Sequence, residues 1–148
     1  MQYTQARPGR IFVLRLTQGE IIHRVIEDFA RKQGIKAAVL TALGGVEHGS
    51  RLVTGPGDGL ERPVQPTFHT LEGVHEAVGS GTIFPDEEGN PVVHMHMACG
   101  RGQNTVTGCI RPGVVVWQIL EVVLQELTHF RGVRSKDNEL GVSVLSCS

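Results

Sequence analysis

The chain is poor in cysteine, in aromatics and in net charge, and each shortage removes a class of protein. Its three cysteines, Cys99, Cys109 and Cys147, are odd in number and widely spaced. They form neither a disulfide framework nor a CxxC zinc knuckle and read as buried thiols. Fourteen basic against fifteen acidic side chains leave a net charge of −1. No global positive field therefore draws the chain to nucleic acid or anionic lipid, and only a local basic patch stays open. Aromatics make up 5%, with Trp117 the one tryptophan; it is expected in the core or at a subunit contact rather than as a stacking platform. No apolar run approaches the ~20 residues of a membrane span. The opening "MQYTQARPGR" lacks the apolar centre of a signal peptide. A cytoplasmic chain with no membrane partner is expected. No GxSxG, Walker loop, GxGxxG after a strand or HExxH occurs, so several common enzyme classes lose their support. There is no internal repeat and no low-complexity tract. A length of 148 residues suits a single domain over 1–148, with a core that needs no staples.

What is present is a short strand-like run, one clear helix and a series of β-rich segments. "RIFVLRL" precedes "TQGEIIHRVIEDFARKQG". In the latter, Thr17 and Glu20 have the spacing of a capping box, Ile22, Val25, Ile26 and Phe29 form an apolar stripe, and Gly34 suits the C-terminal cap. "IKAAVLTALGG" reads as a buried strand ending at Gly44 and Gly45, where the backbone either turns tightly or approaches a ligand. Residues 55–66, "GPGDGLERPVQP", read as a loop. "TLEGVHEAVGSGTIF", "PVVHMHMACGR", "NTVTGCI" and "VVVWQILEVVLQEL" favour strands by their β-branched content, although the last has a length that also admits a helix.

The segment "PVVHMHMACGR" carries the chemistry. In a strand, Val93, Met95, Met97 and Cys99 share one apolar face, and His94 and His96 point together from the other, roughly 7 Å apart along the chain. Two neutral imidazoles at that separation can converge on zinc or another divalent transition metal. The bland alternative is a pair of half-exposed strand histidines bonded to backbone or water. A hairpin with its turn at Asp86 to Gly89 and a symmetric register would set Gly81 and Gly79 opposite His94 and His96, clearing space for an ion. In that register His75 shares the histidine face further along its strand. It becomes the candidate third ligand if the strand bends or a neighbouring subunit supplies it. His23 reads as a surface residue of the helix. Arg111 precedes a Pro-Gly turn in "GCIRPGV", where its guanidinium could hold a carboxylate or phosphate or simply be solvated.

"GEIIHRVIEDFARKQGIKAAVLTALGGV", "GVHEAVGSGTIFPDEEGNPVVHMHMACGR" and "TVTGCIRPG…WQILEVVLQEL" together resemble the PPC domain, found in plants and prokaryotes, over roughly residues 9–128. The resemblance implies an α+β domain: a largely antiparallel, barrel-like sheet with one principal helix, assembled as a homotrimer. Plant members accompany AT-hook segments that bind DNA, but this chain has no Arg-Gly-Arg-Pro hook, so direct DNA binding is not favoured. The fold group also resembles acetolactate decarboxylase, whose zinc is held by an HxH and a histidine downstream. Here the corresponding "TVTGCI" has no histidine, so the decarboxylase activity does not carry over. Two function classes result: a metal-binding homotrimer that holds or transforms a small anionic molecule, and a DNA-binding or gene-regulatory assembly module without catalysis.

Overall fold

A computed structural model of the chain describes residues 1–147. Strand β1 (Arg7–Thr17) leads into helix α1 (Ile22–Gln33) and then β2 (Ala38–Val46), β3 (Arg51–Pro56) and β4 (Pro66–Thr70). The long hairpin of β5 (His75–Pro85) and β6 (Pro91–Arg101) follows, with β7 (Asn104–Cys109) and β8 (Val116–Thr128) after it. A second hairpin, β9 (Gly132–Lys136) and β10 (Ser143–Cys147), ends the described chain. The main sheet has eight strands in the order β1-β8-β2-β5-β6-β7-β3-β4, and its pairings are antiparallel.

The α+β, antiparallel expectation therefore holds, but the sheet does not close. β1 and β4 are its two edges and do not pair. The core that a closed barrel would fill from its own strands is filled here by α1. Ile22, Ile26 and Ala30 of the helix join Leu40, Met95, Met97 and Val122 of the strands in one buried cluster. Gly34 ends the helix in the left-handed conformation and donates to the carbonyls of Ala30 and Arg31, as the apolar stripe and terminal glycine foretold. The start differs. Glu20 does accept a hydrogen bond from the Thr17 amide at 2.7 Å, yet Thr17 closes β1 and the helix begins only at Ile22, with no side-chain cap. The expected capping box thus braces the turn between strand and helix.

The segment ending in "EVVLQEL" is strand β8, because it lies between β1 and β2 and alternates buried Leu120, Val122 and Leu124 with exposed neighbours. β2 is likewise half-buried rather than fully buried, since Val39, Thr41 and Leu43 point away from the core. Gly44 and Gly45 do not make a turn: they sit at a bulge against β8, where the register skips from Leu120 to Trp117. A Cβ on Gly45 would lie 2.6 Å from the Trp117 carbonyl oxygen, so only glycine admits this approach.

The face away from the core is unusually apolar on one side. Val13 of β1, Leu43 of β2 and Val78 of β5 are 77%, 59% and 61% exposed, and Ile119 and Val123 of β8 lie among them.

The β5–β6 hairpin turns at Asp86 to Gly89 as expected, but its register is one residue from the symmetric one. Thr82 faces His94 and Ser80 faces His96, while Gly81 and Gly79 oppose Met95 and Met97 on the core side. The glycines therefore make room for methionines, not for an ion. A Cβ on Gly81 would stand 2.6 Å from the Met95 Cβ and 2.8 Å from the His94 carbonyl oxygen. Gly81→Ala is accordingly expected to lower unfolding stability by roughly 1–3 kcal/mol through overpacking. Metal uptake per folded chain should match wild type. Chemical denaturation with metal analysis checks both, and an equally stable variant that takes up less metal would put Gly81 on the histidine side.

Candidate metal centre

β6 has partners on both flanks, which holds its side chains to two directions. Val93, Met95, Met97 and Cys99 go into the core, and His94 and His96 emerge together on the opposite face. Their Nε2 atoms are 3.2 Å apart and the rings meet at 74°. Two nitrogens each 2.0–2.1 Å from a tetrahedral zinc would be separated by about 3.3 Å, so the pair already has the bite of a chelate. Without an ion the same separation suits one shared proton between the rings.

The third group comes from β7. Cys109 is the register partner of His96, and its Sγ and the two imidazole nitrogens all lie within 4.8 Å of one another. Cys109 is not the buried thiol expected from its sequence: it is half-buried, and it places a donor in the "TVTGCI" stretch that has no histidine. A cysteine is as good a zinc ligand as a histidine, and the alternation of β7 was the signal available. Cys99, by contrast, is the buried thiol expected, and burial pushes it up to about 11.

His75 is not part of this group. The observed register puts it opposite Val46 on the core-facing side of β5, where it is buried and its Nδ1 lies 3.0 Å from the Gly73 carbonyl oxygen. The expectation of a shared face depended on the symmetric hairpin, and the one-residue offset reverses it. His23 is half-buried rather than at the surface, with Nδ1 lacking a partner among the described residues.

Arg111 does join the site. It lines, with His94 and Cys109, a cavity of about 440 Å³ whose other walls are largely apolar, among them Val53, Phe68 and Val142. Burial, and after it the nearby guanidinium charges of Arg134 and Arg111, hold His94 down to about 4. Its imidazole is thus neutral at physiological pH, the form a metal requires. A cavity with the neutral His94 imidazole, a thiol and guanidinium charge can accept a cation at one end and an anion beside it.

Residues 3–128 match the family described as the Plants and Prokaryotes Conserved domain. The chain belongs to that family. Among solved structures it is similar to a PPC protein of Pyrococcus horikoshii, with 23% identity, a TM-score of 0.84 and coverage of 99% of this chain and 97% of that one. It is also similar to a metal-containing protein of Archaeoglobus fulgidus, with 24% identity, a TM-score of 0.83 and coverage of 99% of both. A Ralstonia eutropha protein named for a proposed DNA-binding role is 22% identical, with a TM-score of 0.69, over 92% of this chain and 90% of that one. At these identities the likeness establishes the fold. Among curated proteins, the bifunctional protein GlmU of a Synechococcus strain is 30% identical over 89% of this chain. The chain spans only 20% of that relative's length.

The cysteines offer a direct check. In metal-free native protein, Cys109 and Cys147 should react with a thiol reagent such as DTNB while Cys99, fully buried and with its thiolate disfavoured, should not. Zinc should then protect Cys109. Zinc that leaves Cys109 as reactive as before would remove the thiol from the site.

Proposed function

We propose that residues 1–148 act as one domain that binds a divalent transition metal, zinc by the chemistry of its donors, through His94, His96 and Cys109, and works as a homotrimer on a small anionic ligand. The observation that carries the metal reading is the convergence of two Nε2 atoms 3.2 Å apart with a thiol on the same sheet face. Two imidazoles and one thiolate leave a tetrahedral ion one open position, the arrangement of catalytic rather than structural zinc. Zinc bound there would supply a Lewis acid or a bound hydroxide at neutral pH. The chain's own contribution is to present the neutral His94 imidazole beside His96, exclude water with apolar walls and offer the Arg111 guanidinium to an anion. The metal-containing Archaeoglobus protein of the same fold is consistent with this reading.

Duplex DNA suits the site less well. A net charge of −1 provides little of the phosphate neutralisation on which non-specific affinity rests. The Ralstonia protein of similar fold lends DNA no more than its name.

Metal analysis tests the centre. Purified protein exposed to zinc and dialysed should retain about one ion per chain, the His94→Ala, His96→Ala double variant no more than trace, and Cys109→Ser markedly less than wild type. Trace zinc in wild type, or equal zinc in the double variant, would be decisive against it.

The trimer draws on the family's usual assembly and on the open apolar face. Val13, Leu43 and Val78 form part of a contiguous patch beside the free edge strand β1, and closed assembly would cover both the patch and the edge. Sedimentation or light scattering should give three times the chain mass, and Leu43→Glu on that face should shift it toward monomer. A wild-type monomer at micromolar concentration would contradict the assembly.

A further inference from the structure

The second hairpin brings to the site a buried charge that has no carboxylate partner among the described residues. Arg134 of β9 is only 7% exposed. One terminal nitrogen of its guanidinium donates to the Thr82 hydroxyl at 3.1 Å, and its Nε is buried with no partner among the described residues. No carboxylate lies in ion-pair range of it among those residues. Asp86, whose backbone bridges to Arg134, spends its oxygens on Asn90 and on the Glu88 amide within its own turn. The Phe84 ring lies 5.5 Å from the cation and is itself stacked on Phe130.

A buried guanidinium without an anion is expensive to keep. Its position indicates what it is kept for. Thr82 is the cross-strand partner of His94, so the guanidinium held by Thr82 lies beside the histidine pair. Arg111 approaches the same histidine from the other flank: the β6–β7 register that pairs His96 with Cys109 brings Arg111 opposite His94 when continued, and both line the same cavity. Arg134 and Arg111 also bear on each other and on His94 electrostatically. Arg111 thus lines, together with His94, a cavity whose far walls, including Val53, Phe68 and Val142, are apolar, and Arg134 stands next to that lining, held by Thr82 across from His94.

We propose that Arg134, with Arg111, anchors the carboxylate of a small monocarboxylic acid whose apolar body fills this cavity next to the metal position. The reading rests on the proposed site but specifies its ligand class and its specificity-determining residue. A planar carboxylate matches the guanidinium fork in a bidentate manner, and a cavity of about 440 Å³ falls in the range of small-molecule sites. The apolar walls disfavour a ligand that is charged all round, such as inorganic phosphate. Arg134 stands in the hairpin beyond residue 128, where the family match ends, so the determinant of ligand choice comes from outside the matched segment.

Isothermal titration calorimetry on the full chain with hexanoate, and separately with inorganic phosphate, tests this on chelator-stripped and on zinc-loaded protein. Hexanoate should bind with a dissociation constant of roughly millimolar or below, as suits a ligand of this size, and phosphate at least tenfold more weakly. Arg134→Met and Arg111→Met should each weaken hexanoate at least tenfold in both forms, with zinc content unchanged. Arg134→Met should also melt no lower than wild type, because an unpaired buried charge has been removed. Arg134→Lys, which keeps the charge without the fork, should recover part of the binding and serves as the second variant if the methionine form does not fold. Wild-type hexanoate affinity in Arg134→Met or, should that form not fold, in Arg134→Lys overturns the proposal, as does phosphate bound as tightly as hexanoate by wild type. Zinc that fails to bind overturns the metal reading alone, since the stripped protein still reports on the arginines.

Discussion

Strand β6 lies between β5 and β7 with its main chain paired on both flanks, so a side chain on it can go only into the core or onto the open face. The core side is filled by Met95, Met97 and Cys99, all fully buried, and that packing fixes the register of the strand. His94 and His96 are consequently locked onto the other side. Their orientation is a by-product of hydrophobic burial two residues at a time. Rotating the strand by one residue would bury both imidazoles and expose the methionines, a loss on both faces. The candidate centre inherits its rigidity from the core, which is what a site assembled from strand residues needs if its donors are to hold geometry without a ligand.

Around that pair the environment is poised between cation and anion. Partial burial and neighbouring positive charge hold His94 neutral, favouring it as a donor to a metal. The same charges, on Arg111 and Arg134, are uncompensated by any carboxylate ion pair among the described residues. Ion pairs are few elsewhere as well, Arg10 with Glu126 and Arg31 with Asp28 among the described residues, so what sets Arg134 apart is its burial without one.

Family membership establishes the scaffold, and the scaffold alone does not assign a task. Proteins of this fold include one described as metal-containing and one named for a proposed DNA-binding role, and a similar domain occupies a fifth of the much longer Synechococcus GlmU. A sheet with one helix-covered face and one open face readily supports such reuse. The helix side secures stability, and the open side is free to carry donors, apolar contact surface or charge.

Local chemistry was legible in the sequence wherever it depended on near neighbours along the chain. The apolar stripe from Ile22 to Phe29 and Gly34 marked the helix, the alternation of "VVHMHMAC" marked β6, and Asp86 to Gly89 marked its turn, because helical period, strand period and turn preference are properties of a few adjacent residues. The resemblance of three segments to the PPC domain indicated the family, and through it the α+β class. What depended on partners distant in sequence was not available there. The one-residue offset of the β5–β6 hairpin moved His75 to the core side and Thr82 to the histidine side, the pairing of β7 with β6 brought Cys109 to His96, and a hairpin more than thirty residues beyond His94 delivered Arg134. The open edges of the sheet were settled in the same way, by α1 filling the core that a closing strand would otherwise have shared. Local preferences therefore determined which strands exist and which side chains alternate along them. Packing across the sheet determined which of those side chains meet, because register is chosen by the total burial of many residues at once.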